Sequence, residues 1–125
     1  MKKRTREWVR KAESDHHLAV RAAAASEPFH DQVCFLCQQS AEKYLKALLA
    51  ELGLTIRRTH NLDDLLAALP PYYLSLRSLR RGLIFLTRFA VETRYPGESA
   101  SKRQAAAALR WASKVRDACR KLLRL

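Results

Sequence analysis

The stretch VCFLCQQSAEKYLKALL, residues 33–49, decides the fold. Cys34, Cys37, Ala41, Leu45 and Leu48 recur at steps of three and four, which places them on one face of a helix. Cys34 and Cys37 also form a C-x-x-C pair, a spacing shared by redox dithiols, zinc sites and plain cores. A thioredoxin-type dithiol follows a strand, and no strand is readable before Val33. A zinc site needs two further ligands at a matching spacing. Cys119 stands alone, and His16, His17, His30 and His60 form no second ligand pair. The two thiols therefore continue the apolar stripe as small hydrophobes. The stretch reads as a core helix from His30 or Asp31 to Leu52, ended by Gly53.

The flanking segments read the same way. A preceding helix from about Thr5 to Ala25 sets Trp8, Ala12, Asp15, Ala19 and Ala22 on one face, and Pro28 disfavours helix at Glu27. After the connection LTIRRTHN, a short helix LDDLLAAL follows, with Asn61 as N-cap and Asp63 and Asp64 in its first turn. Pro70 and Pro71 interrupt the chain. Leu76, Leu79, Leu83, Leu86, Ala90 and Thr93 then predict a fourth helix from about Tyr73 to Thr93. RYPGES ends it, and SKRQAAAALRWASKVRDACRKLLRL makes a fifth, with Ala108, Trp111, Ala112, Val115, Cys119 and Leu122 inward. The expectation is all-α: an up-and-down helical bundle of four long helices plus one short helix, forming one domain over residues 1–125.

Composition agrees. Of 125 residues, 48% are hydrophobic and only three are Gly, so the chain can bury a core and favours helix. No run is apolar enough to span a membrane, and the basic start MKKRTREWVRKAESD lacks the apolar run of a signal peptide. Three cysteines without an export signal predict reduced thiols and a cytoplasmic setting. The formal charge of +12 attracts polyanions: nucleic acid, nucleotides or an acidic partner protein. An Arg-rich composition without any function would give the same excess, since the cations are spread along the chain.

The ordered set FLCQQSAEKYLKALLAELG, RTHNLDDLL and TRYPGES resembles the HEPN family. Phe35, Gln38, Gln39, Ala41, Glu42, Lys43, Leu45, Lys46, Ala47 and Leu49 match its second-helix pattern, with Ser40 where Ala is usual. Thr59, His60 and Leu62 match a T-H-x-L segment, and Arg94, Tyr95 and Pro96 match R-Y-P. The resemblance implies a small bundle that pairs as a homodimer. It also implies a minimal nucleotidyltransferase partner, often in a toxin–antitoxin pair. Active ribonucleases of that family carry an Arg followed, after four to six residues, by a His. The His serves as acid or base near neutral pH, and the Arg faces the developing phosphorane charge.

Here the residues after Arg94 are Tyr95, Pro96, Gly97, Glu98, Ser99, Ala100 and Ser101, with no His. The reading is therefore a nucleotide- or RNA-binding module that lacks an intact ribonuclease dyad. The alternatives are a ribonuclease using Arg94 with a displaced His60, or a structural adaptor for an acidic partner. His60 has a plainer role available, anchoring the short helix. The candidate ligand-binding residues are Arg94, Tyr95, Lys43, His60 and Arg88, and the catalytic candidates are Arg94 and His60 alone. No metal or cofactor is expected. Asp15 needs a cationic partner, for which Lys43, Lys46 or an Arg would serve. Arg77, Arg81 and Arg88 on the fourth helix, and Arg103, Arg110, Lys114 and Lys121 on the fifth, form candidate cationic stripes. Ile84, Phe85 and Phe89 offer a second apolar face for pairing.

Overall fold

A computed structural model describes residues 1–125. Every regular element is helical: α1 (Lys3–Ala24), α2 (His30–Glu51), α3 (Leu62–Ala68), α4 (Leu74–Arg77), α5 (Arg80–Thr87), a 3-10 turn (Arg88–Ala90) and α6 (Lys102–Leu122). The helix α2 is the axis of the molecule, packed against α1, α6, α3 and α5. That position explains its composition. From Cys37 to Ala50 only Gln39 and Lys43 escape burial, so the helix needs apolar or fully paired residues nearly all round.

The core contains all three cysteines, each fully buried and free. Burial pushes the thiols of Cys34 and Cys37 up to about 12, and it raises Cys119 as well. They are inert packing groups at neutral pH.

The bundle is as expected, but its fourth helix is not continuous. The span from Tyr73 to Thr93 divides into α4, α5 and the 3-10 turn. The polar residues there bond back to the backbone. The Ser78 hydroxyl donates to the Ser75 carbonyl at 2.8 Å, and the Thr87 hydroxyl donates to Leu83 at 2.8 Å, competing with regular helix. Thr87 Oγ1 also accepts the Leu62 amide at 3.0 Å, tying α5 to the start of α3. Gly82 has a separate reason. A Cβ there would lie 2.1 Å from Cε3 of Trp111, so α5 crosses α6 where only hydrogen fits.

Two faces also differ from their predicted placing. On α1 the buried row is Thr5, Val9, Ala12, His16 and Ala19, while Trp8, Asp15 and Ala22 lie at its margin. Phe89 is inside the core of its own chain, and Phe85 packs edge-on against it, leaving Ile84 as the exposed member of that face. Asn61 does cap α3, accepting from the amides of Asp63 and Asp64. No helix is long and apolar enough to cross a membrane.

Candidate functional site

Arg94 sits in the loop that joins the 3-10 turn to α6, and the sequence shapes that loop closely. Tyr95, Pro96, Gly97 and Glu98 form a tight turn in which the Glu98 amide donates to the Tyr95 carbonyl at 3.1 Å. Gly97 takes φ +90, the left-handed value that the third residue of such a turn requires. Thr93 has φ +73, a strained conformation for a β-branched residue. Its amide is held by the Glu98 carboxylate at 3.2 Å. The far end of the loop is tied down too, because the Ala100 amide donates to Asp31 at 2.6 Å and Ser101 opens α6 with a reciprocal Gln104 capping box.

This loop forms one wall of an open groove of about 680 Å³. Its floor is apolar, built from Leu18 and Ala22 of α1, Phe29, and Phe35 and Leu36 of α2. Arg94 and Arg21 stand at the rim, and neither guanidinium has a carboxylate partner. Asp31, whose Oδ1 holds the Ala100 amide, and Gln32 also line the groove; an apolar floor with two free cations fits an amphipathic anion whose flat part lies on the floor and whose charge meets the arginines.

A second polar cluster lies further along α2. Glu42 is 4% exposed and is satisfied on both oxygens. Lys46 Nζ donates to Oε2 at 3.0 Å, and Gln38 Nε2 donates to Oε1 at 3.2 Å. The ring of His60 sets Nδ1 2.8 Å from the same Oε1. A carboxylate only accepts, so Nδ1 carries the proton and Nε2 is presented outward on a ring that is 68% exposed. Gln38 also donates to the His60 carbonyl at 3.0 Å, and Lys46 lies over the Trp8 ring. Burial works to raise the Glu42 carboxyl, but the hydrogen bonds from His60, Lys46 and Gln38 outweigh it and hold it below the usual range.

The five candidate residues therefore separate. Arg94 lines the groove, and Tyr95 beside it is exposed. Arg88 is nearby in sequence, but it is paired with Glu92 at 3.1 Å and lies over the rings of Phe85 and Phe89. Lys43 is bonded to Asp15 across the α1–α2 contact, which is the partner Asp15 required. His60 anchors the segment before α3, while Asn61 does the capping. Asp31, Phe35, Gln38 and Glu42 form one row on α2. Arg94 lines the same groove as Asp31 and Phe35, and His60 meets the row at Glu42, about 10 Å beyond Phe35 along the axis. The two catalytic candidates thus share a face but do not meet within one chain.

Sequence reading missed Arg21, Phe29 and the Glu13 network. Glu13 receives both Nε and Nη2 of Arg116, at 2.6 and 2.7 Å, together with the Tyr44 hydroxyl. Its partners lie 31 and 103 residues away, so no local spacing could announce them. The fourth-helix stripe is also absent as such. Arg77 turns inward to donate to the Leu69 carbonyl, while Arg81 stays exposed.

The HEPN domain family profile matches residues 5–122. Among solved structures, the chain is similar to TT1696 from Thermus thermophilus, at 26% identity and a TM-score of 0.83, covering 96% of this chain and 98% of that one. It is also similar to ST0689, described as an archaeal HEPN homologue, at 27% identity and a TM-score of 0.75, covering 98% and 99%. No curated protein matches it.

Proposed function

The chain belongs to the HEPN family, and we propose that it is a nucleotide- or RNA-binding member that does not cleave RNA, working as a homodimer beside a minimal nucleotidyltransferase in a toxin–antitoxin-like pair. One observation carries the reading. Arg21 of α1 and Arg94 stand unpaired over an apolar groove, and the loop that carries Arg94 has no imidazole. A base rests on Phe29, Phe35 and Leu36, and its phosphate meets the two guanidinium groups. Without a group that titrates near neutral pH in that loop, proton transfer from a 2′-hydroxyl loses roughly a hundred- to ten-thousand-fold.

The test is a matched pair, wild type and Arg94→Ala, assayed for nucleotide and single-stranded RNA binding and for RNA cleavage without metal. The expected result is salt-sensitive binding, weakened in Arg94→Ala, with no cleavage by either protein. Light scattering tests the homodimer, and a monomer mass counts against it. Co-purification with the product of a neighbouring nucleotidyltransferase reading frame tests the partner.

The ribonuclease reading has a specific observation in its favour. A buried carboxylate orients His60 and leaves Nε2 outward, which is how an acid–base imidazole is held. If wild type cleaves RNA and both Arg94→Ala and His60→Ala abolish cleavage, that reading replaces the first.

A further inference from the structure

Spread along the sequence, the cations are gathered by the fold. The helix α1 runs antiparallel to α2, because the Lys2 amide and the Thr5 hydroxyl both donate to Glu51 in the last turn of α2, at 3.0 and 2.9 Å. The helix α6 runs parallel to α2. Its start lies with His30 and Val33 beside Lys102 and Ala105, and its later turns reach Tyr44 through Arg120. The start of α1, the end of α2 and the end of α6 therefore share one end of the bundle. Lys3, Arg4, Arg6 and Arg124 are all exposed there, and none has an acidic partner; Arg57 and Arg58, also exposed, lie on the segment that returns from this end to His60 beside Glu42. The first ten residues hold five cations and one acid, Glu7. The other nearby carboxylate, Glu51, is already occupied by Lys2 and Thr5.

A second observation is independent of the clustering. The amino end of a helix is the positive end of its dipole and favours acids. The first turn of α1 contains no acid and no side-chain cap, yet it carries Lys3, Arg4 and Arg6. The carboxylate that reaches this turn is Glu51 of α2, which receives the Lys2 amide and the Thr5 hydroxyl, so three exposed cations at the positive end of the helix face one acid brought from another element.

We propose that this basic end is a contact surface for the phosphate backbone of RNA, separate from the Arg94 groove. The proposal rests on the reading of the protein as an RNA- or nucleotide-binding domain. The chemistry favours phosphodiesters. Three of the four cations are Arg, whose planar fork matches a phosphate. No Trp, Tyr or Phe is exposed at this end to stack on bases, so the contact ignores sequence. RNA held here delivers a strand to the molecule by charge alone, with the groove left for a nucleotide.

The experiment compares three proteins of checked fold. The first is wild type, and the second is the end variant Lys3→Gln, Arg4→Gln, Arg6→Gln, Arg124→Gln. The third removes the same charge elsewhere, as Arg81→Gln, Arg103→Gln, Arg110→Gln, Lys114→Gln. Binding of a labelled single-stranded RNA is followed as salt is raised. Each phosphate contact contributes roughly 0.7 to the slope of log K against log salt for single strands. The end variant is expected to lower the slope by about 3, and the equal-charge control to leave it unchanged. Equal losses in both variants would mean a diffuse field and overturn the surface. Unchanged RNA binding by the end variant, with loss of binding to anionic lipid vesicles or to a polyglutamate peptide, would assign the end to that partner instead. Failure of wild type to bind RNA even at low salt would remove the functional reading itself, and the inference with it.

Discussion

Glu13 offers the sharpest test of how this bundle is held. Its carboxylate joins three helices, receiving Arg116 at 2.6 and 2.7 Å, the Tyr44 hydroxyl, and Arg120 at 3.4 Å. The Arg116 hydrogen bonds dominate, and they hold the carboxyl at about 2 where 4.5 is ordinary. At about 1.4 kcal/mol per pH unit, that difference is worth about 3 kcal/mol with no screening. The side chain keeps 19% of its exposure, so solvent reduces this to about 2 kcal/mol. The sign follows from the lowered value. The stabilisation is complete above 4.5 and is lost as pH falls towards 2, because the unfolded chain takes up the proton first.

The assay is urea denaturation of wild type and Glu13→Gln between neutral pH and about pH 2.5. At neutral pH the variant should be less stable by about 2 kcal/mol. On acidification the two proteins should converge, since wild type loses by protonation what the variant has already lost. The lowered carboxyls of Glu42, Glu51 and Asp63 occur in both proteins and cancel in the comparison. A gap that stays constant across the whole range would show that Glu13 acts by packing, and the electrostatic account would fail.

Three other expectations are simpler. Gly82→Ala would ordinarily stabilise a helix by about 1 kcal/mol; against Trp111 it should instead destabilise by about 1–3 kcal/mol, read as a lowered Tm. Cys34→Ala with Cys37→Ala should cost stability and leave nucleotide binding intact, and native thiol labelling of wild type should be slow; rapid labelling or stoichiometric zinc would contradict the core placement. Burial, followed by the charge of Arg116, lowers His16, so acidification below about 6.5 should begin to destabilise wild type before Glu13 titrates, and His16→Gln should remove that early limb.

Much of this was readable from local spacing. The stripe through Cys34, Cys37, Ala41, Leu45 and Leu48 is the core of α2, because a three-and-four period has one structural meaning in a helix. The Asn61 cap was also local, since it depends on residues within a few positions. The fourth helix misled because its leucines keep period across the break. Leu76, Leu83 and Leu86 are all buried, yet the side chains of Ser78 and Thr87 interrupt the backbone between and after them. The groove was invisible for a different reason. Leu18, Phe29, Phe35 and Arg94 come from three separate segments, and only the crossing of α1 over α2 makes them neighbours. The basic end is the same case on a larger scale: Lys3, Arg4, Arg6 and Arg124 look scattered until the helices are given their directions.

The missing histidine is a structural matter as well as a sequence matter. The family's active pattern would put an imidazole at position 99, 100 or 101, and two of these positions are already committed. Ala100 is 8% exposed among core residues, so Ala100→His should force a ring into a methyl-sized space at about 2 kcal/mol or more. Ser101 caps α6 through the Gln104 amide at 3.0 Å, so Ser101→His should cost about 1 kcal/mol. Ser99 is exposed and its side chain makes no hydrogen bond, so Ser99→His should change stability by less than about 0.5 kcal/mol. Urea midpoints of the three variants give the order directly, and a stable Ala100→His would refute the reasoning. The order has a functional consequence. Only Ser99→His can carry an imidazole on this loop without disturbing the ties at Asp31 and Gln104 that fix Arg94. If that variant gains metal-independent cleavage of RNA, and Arg94→Ala removes the gain, then Arg94 is the surviving half of a dyad. If it folds, binds RNA and cleaves nothing, the loop is built for holding a phosphate, and adding the proton donor alone does not convert it.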